Sequence, residues 1–191
     1  AELTSTTATI SVSGPLTILS HPQNARDYVG ESHVFSISAA GGLAPLAYQW
    51  RKDAAEIPDA TSASYDTGAL TLDDAGSYDC VVTDASDAEL ISNAALLDVA
   101  AAVAVDTQPA GARKYVGETH PFSVTASGGF APLSYQWQKD GEDLPGAEDA
   151  AYTTPALTVD AAGAYACVII DDAGTAVVSD EAVLEVADTL A

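Results

Sequence analysis

Methionine is absent from the 191 residues, cysteine occurs twice, histidine three times, and Lys and Arg together supply only six side chains. Each shortage excludes something. Six cations against 28 carboxylates leave a net charge of −22. Phosphate backbones and anionic headgroups are held by clustered Lys and Arg, so no nucleic acid and no electrostatic membrane docking are expected. No run of about 20 apolar residues occurs, the length a helix needs to cross a bilayer, so membrane insertion is not expected either. Two thiols do not make a disulfide framework. The three histidines, His21, His33 and His120, have no second His or Cys at metal-ligand spacing. No nucleophile elbow, phosphate loop or dinucleotide fingerprint is present. The expectation is a protein that is not an enzyme, with no catalytic, cofactor-binding or metal-binding residues. The absence of an initiating Met points to a chain that begins at a processing or cloning boundary, and a removed signal peptide would fit.

What is abundant is apolar surface: 48% of the residues are hydrophobic, enough to bury a core rather than form a disordered acidic tail. Self-comparison then shows a repeat. Tyr28-Val29-Gly30-Glu31 returns as Tyr115-Val116-Gly117-Glu118, Tyr48-Gln49-Trp50 as Tyr135-Gln136-Trp137, and Tyr78 and Cys80 as Tyr165 and Cys167, each offset by 87 positions. The register runs without a gap from Pro22/Pro109 to Ala100/Ala187. Two domains of one type follow, over 15–101 and 102–191, with residues 1–14 left over as an extra N-terminal strand. An Ala/Val stretch near Ala100 to Val105 joins them, which favours a strand-like connection over a floppy linker.

All local signals are β. Phe35, Ile37 and Ala39 alternate with serines, as do Phe122, Val124 and Ala126 with Ser123 and Thr125. Leu70 and Leu72 flank Thr71, and Leu97 and Val99 flank Asp98. Such period-two runs read as half-buried strands. Gly41-Gly42, Gly128-Gly129, Gly76 and Asp140-Gly141 supply turns. No segment carries a helical stripe with caps. Several short strands in a domain of this size predict an all-β fold of two tandem sandwiches.

On these motifs each repeat resembles an immunoglobulin-like domain of the I-set kind, in the form found in tandem in bacterial secreted and cell-surface proteins. Tyr48-Gln49-Trp50-Arg51-Lys52-Asp53 looks like strand C with its core tryptophan, and Asp74-Ala75-Gly76-Ser77-Tyr78-Asp79-Cys80 like the entry to strand F. Tyr135 to Asp140 and Gly163 to Cys167 play the same parts in the second repeat. The resemblance implies a structural core of Trp50, Tyr78, Cys80, Trp137, Tyr165 and Cys167, with Ala69-Leu70 and Ala156-Leu157 feeding strand E. It also implies an extracellular or cell-surface location.

Two departures stand out. Ile37 and Val124 occupy the strand-B cysteine position, so Cys80 and Cys167 lack an intradomain partner. Each is read as a small buried hydrophobe, with an intermolecular disulfide or reactive thiol as the sharper alternative. Asp74 has Ala161 as its counterpart, so any ion pair it makes is missing from the second domain.

Acids cluster at Asp140, Glu142 and Asp143, at Glu148-Asp149, at Asp171-Asp172 in the expected F–G loop, and at Asp84 with Asp87 in that loop of the first repeat. None reproduces the EF-hand spacing. A solvated acidic surface is the leading reading, and calcium gathered in space by the loops is the minor one. The leftover strand, Ala8-Thr9-Ile10-Ser11-Val12, matches the last strand of each repeat. Either it is the tail of a preceding domain in a longer array, or Ala8, Ile10 and Val12 form an assembly strand donated to a neighbouring subunit. The function expected is a non-enzymatic extracellular structural protein, a stalk or filament subunit assembling by strand or end-to-end contacts. Partners would be other copies or neighbouring domains. The alternative is an adhesin or carbohydrate-binding accessory module of a larger secreted protein, with a glycan or protein ligand.

Overall fold

Alternation along short strands sorts side chains into an inward and an outward set, and a computed structural model, which describes residues 12–188, shows what that sorting builds. The chain divides into two units, Ala1–Val99 and Ala100–Ala191. The first contains β1 (Thr17–Ser20), β2 (Ala25–Tyr28), β3 (Val34–Ser36), β4 (Ser38–Ala40), β5 (Ala47–Lys52), β6 (Ala55–Glu56), β7 (Ser64–Asp66), β8 (Gly76–Thr83), β9 (Glu89–Ile91) and β10 (Ala95–Ala100). The second repeats them as β11 (Ala104–Thr107), β12 (Ala112–Tyr115), β13 (Pro121–Ser123), β14 (Thr125–Ser127), β15 (Ser134–Lys139), β16 (Glu142–Asp143), β17 (Ala151–Thr153), β18 (Gly163–Ile170), β19 (Ala176–Val178) and β20 (Ala182–Ala187).

In each unit the larger sheet runs β2-β10-β8-β5-β6, or β12-β20-β18-β15-β16, with β9 or β19 also on the central strand. Opposite it, β1 pairs β4 and β3 pairs β7, with β11/β14 and β13/β17 as their counterparts. β12 joins β20 in parallel, whereas β11/β14, β13/β17, β15/β16, β15/β18, β18/β19 and β18/β20 are antiparallel. The fold is all-β, two immunoglobulin-like sandwiches in tandem. Between β10 and β11 lie residues 101–103, of which Val103 is buried in the second core.

The cores show why the repeated motifs recur. Trp50 and Trp137 are 0% exposed, and Tyr78, Cys80, Tyr165 and Cys167 lie beside them, all buried. Phe35 stacks on Tyr78 at 4.6 Å and approaches Trp50 at 6.0 Å, and Phe122 does the same with Tyr165 at 4.5 Å and Trp137 at 5.7 Å. Each aromatic trio bridges the two sheets, where offset ring contacts add to plain area burial. The indole N–H groups are satisfied by Ser62 O and Asp149 O.

One local reading needs correction. Leu70-Thr71-Leu72 is not a strand. Leu70 is buried and exchanges backbone hydrogen bonds with Gly30 and Glu31, but Leu72 is exposed and opens a 3-10 turn, Leu72–Asp74. Strand E is β7, which ends before Leu70. Leu157 and the turn Val159–Ala161 repeat the arrangement. The alternating triplet fails as a strand because the chain turns back on itself: Asp74 N and Ala75 N donate to Thr71 O and Leu72 O, as Ala161 N and Ala162 N do to Thr158 O and Val159 O. In the first unit the Asp74 carboxylate adds bonds from Thr71 N and Oγ1, both 2.7 Å.

Phe35→Ala and Phe122→Ala are each expected to lower the unfolding free energy of their own unit by about 3–5 kcal/mol, the usual cost of a large core cavity. Guanidinium denaturation followed by tryptophan fluorescence measures this, one indole reporting from each unit.

Candidate functional site

Three groups of side chains carry chemistry in this sequence: the thiols with their corner tyrosines, the acidic loops and the histidines. Cys80 and Cys167 are 0% exposed and unpaired by any disulfide. Burial pushes both thiols up to about 11, which disfavours the thiolate needed for redox or metal chemistry. Their backbone N–H groups donate to Ser92 Oγ and Ser179 Oγ, at 3.0 and 2.9 Å. Ile37 and Val124, at the strand-B position, are buried in the same cores. Tyr78 Oη donates to Asp74 O and Tyr165 Oη to Ala161 O, both at 2.8 Å. Burial raises both phenols, Tyr78 to about 12. At the glycine that starts each of these strands, a Cβ on Gly76 or Gly163 would lie 2.8 or 2.6 Å from a carboxylate oxygen of Asp53 or Asp140, and that side chain would have to move aside. Asp74, absent from the second repeat, serves its own turn through Thr71 rather than a cation.

The acidic loops separate into distinct local roles. Asp84 is buried and accepts from Leu43 N, Ser86 N, Ser86 Oγ and Ala88 N, between 2.7 and 3.1 Å. Asp171 repeats this with Phe130 N, Ala173 N and Thr175 N. These donors hold the Asp84 carboxyl down to about 2, the Ser86 hydroxyl contributing most. Gly42 and Gly129 have φ of +68° and +67°, and a Cβ there would press on the Asp84 or Asp171 side chain at 3.0 or 2.9 Å. The second glycine of each Gly-Gly turn therefore leaves room for a buried carboxylate that ties one loop to the next, while the first, Gly41 or Gly128, lies against the backbone carbonyl of Pro15 or Ala102. Asp140 is turned onto Lys139 Nζ and Ala164 N, while Asp143 accepts from Gln138 Nε2. Carboxylates ringed by N–H and O–H donors present the wrong polarity to a cation, and no group of three or more His, Cys, Asp or Glu among the described residues is arranged to hold a metal.

The histidines serve the scaffold. His33 and His120 lie edge-on to Phe35 and Phe122, each at 4.5 Å, and donate their backbone N–H groups to Thr67 and Thr154. His33 Nδ1 meets Asp27 at 3.0 Å, whereas His120 Nε2 faces Ala110 O. His21 Nδ1 accepts from Asn93 N. Phe130, a loop aromatic that a sugar-binding surface could use, is buried at 5% exposure. Of the proposed assembly strand, Ala8 and Ile10 lie outside the described residues. Val12 is 92% exposed and belongs to no strand. Sequence reasoning missed the loop staples Asp84 and Asp171, which it read as surface acids. The signal was available: both follow an apolar strand and recur opposite a Gly-Gly pair.

Two outcomes follow. Asp84 has a depressed folded-state pKa, so its contribution to stability is complete above the ordinary carboxylate value of about 3.9 and is lost as pH falls toward about 2. Asp84→Asn should flatten that part of an acid-unfolding profile. Cys80 and Cys167 should resist thiol reagents at pH 8 in the folded protein and react fully in denaturant.

No family model matches the chain. A stretch of 55 residues is 44% identical to the decoration protein of Escherichia phage T5, spanning 29% of this chain and 34% of that protein. The chain thus spans about a third of the curated relative it matches. Among solved structures, an I-band fragment of titin superposes with a TM-score of 0.75 at 20% identity, covering 92% of this chain and 66% of the fragment. The extracellular domains 3–5 of Drosophila OTK give 0.70 at 17%, covering 91% and 62%. A Dscam structure gives 0.58 at 18%, covering 92% and 47%. At such identities the likeness is one of fold, and by fold this chain is a tandem pair of immunoglobulin-like domains.

Proposed function

We propose that the chain is a non-enzymatic structural module displayed on the outside of a larger assembly, extracellular or at a cell or particle surface. There it acts as a spacer and contacts neighbours by strand or end-to-end association. The observation that carries this reading is the 44% identity over 55 residues with a phage decoration protein, set on a fold shared with the extracellular domains of OTK. The physical features agree. Each core is closed by aromatic packing and buried hydrogen bonds rather than by a disulfide. The carboxylate coat behind the net charge of −22 favours solubility and repels unspecific neighbours. The buried Phe130 weakens the carbohydrate-binding alternative, for which a glycan array is expected to return no hits.

The assembly strand is tested by truncation. Electron microscopy and light scattering of the intact chain should show higher assemblies that vanish when residues 1–13 are removed. An assembly state indifferent to that truncation overturns the strand-mediated contact.

A further inference from the structure

The outward face of the larger sheet differs between the two units in a way the cores do not. Residues opposite one another on neighbouring strands share a face. In the first unit the outward row along β8 is Ser77, Asp79, Val81 and Thr83, flanked by Gln49 and Arg51 on β5, by Glu89 and Ile91 on β9 and by Leu96 on β10. A bidentate pair crosses its middle: Arg51 Nε and Nη2 donate to the two oxygens of Asp79, at 2.7 and 2.9 Å. In the second unit the same row on β18 is Ala164, Ala166, Val168 and Ile170. Gln138 replaces Arg51, Ala166 replaces Asp79 and Ala176 replaces Glu89. Val178 faces Val168 across β19, and Val183 faces Ala164 across β20. Val178 and Val183 are 55% and 56% exposed. Charge returns only at the borders, as the Arg113–Glu185 pair on β12/β20 and as Asp143 on β16.

We propose that this face is a self-association surface, on which a second copy of the chain docks through the same face about a twofold axis. It has the anatomy of an interface, an uncharged centre of Ala, Val and Ile side chains with Gln136 and Gln138 beside them, inside a charged rim. Charge selects the occupant. Two copies of a chain carrying −22 repel over their acidic surfaces, and a face with no charge at its centre is where they approach at least cost. A basic partner would instead be drawn to the carboxylates elsewhere. Size agrees with a modest dimer. The strands of this face, β12, β20, β18, β19, β15 and β16, hold 4, 6, 8, 3, 6 and 2 residues, and at about 3.3 Å per residue and about 4.8 Å per strand they give a footprint of roughly 460 Å². Two such footprints come to roughly 900 Å², the size of a weak, reversible contact rather than of a permanent dimer. Flat, β-branched faces pack against each other at about 10 Å, and the apolar faces meet without an ion pair to register.

Sedimentation velocity of the intact chain over a concentration series, at about 0.05 and about 0.5 M NaCl, tests this. The expected result is a reversible monomer–dimer equilibrium that tightens with salt, because screening weakens the repulsion between the coats while the contact has no ion pair to lose. Val178→Glu should weaken dimerisation by more than about tenfold. So should Gln138→Arg with Ala166→Asp, a combination the first unit already folds around. Ile91→Glu, the repeat-equivalent of Val178→Glu, should leave the equilibrium unchanged. Circular dichroism checks that each variant is folded. A monomer under all conditions overturns the proposal, as does an association that the second-unit variants leave intact or that Ile91→Glu weakens equally. Because residues 1–13 take no part, a dimer that survives their removal upholds this face even where the strand contact fails.

Discussion

Each sandwich depends on one cluster of rings. Phe35, Trp50 and Tyr78, repeated as Phe122, Trp137 and Tyr165, come from strands of both sheets and meet at centroid distances of 4.5 to 6.0 Å. A cross-link between the sheets is unnecessary where three large side chains fill the gap and each polar tip has a partner. Loss of the strand-B cysteine therefore leaves the remaining thiol as filler beside Ile37 or Val124, inside a core that needs no oxidising compartment. The other constraints radiate from this cluster: the corner hydroxyls stop the chain entering β8 and β18, and Ser92 and Ser179 satisfy the cysteine N–H groups beneath it.

At one end of each sandwich, a single buried carboxylate does for the loops what the rings do for the sheets. Asp84 and Asp171 draw three or more donors from two loops onto one side chain. A buried charge is tolerated because hydrogen bonds replace its water. Part of the cost falls on the facing backbone: Gly42 and Gly129 leave room for the carboxylate, while Gly41 and Gly128 leave room for the backbone carbonyls of Pro15 and Ala102.

Both units build the interior around the same rings and differ more on the outside. Arg51, Asp79 and Glu89 give way to Gln138, Ala166 and Ala176, all on one outward face, while every core aromatic is retained. One scaffold is thus made twice, with different side chains at a few outward positions that folding leaves free.

The primary structure by itself determined the all-β class, the two units and most of the core, because an 87-residue offset and period-two patterning are local or self-referential signals. Trp50, Tyr78 and Cys80 were legible because their neighbours in the chain mark strands C and F. What only the tertiary structure decided depends on residues far apart in sequence. Leu70-Thr71-Leu72 alternates like a strand, yet Leu70 is bound across the fold to Gly30 and Glu31 and the chain turns directly after it. Asp84 reads as a surface acid until Leu43, 41 positions earlier, points its N–H at it. The uncharged face of the second unit is spread over β15, β18, β19 and β20, and its members look unremarkable one at a time. Alternation says which residues point outward, but only strand pairing says which of them stand side by side.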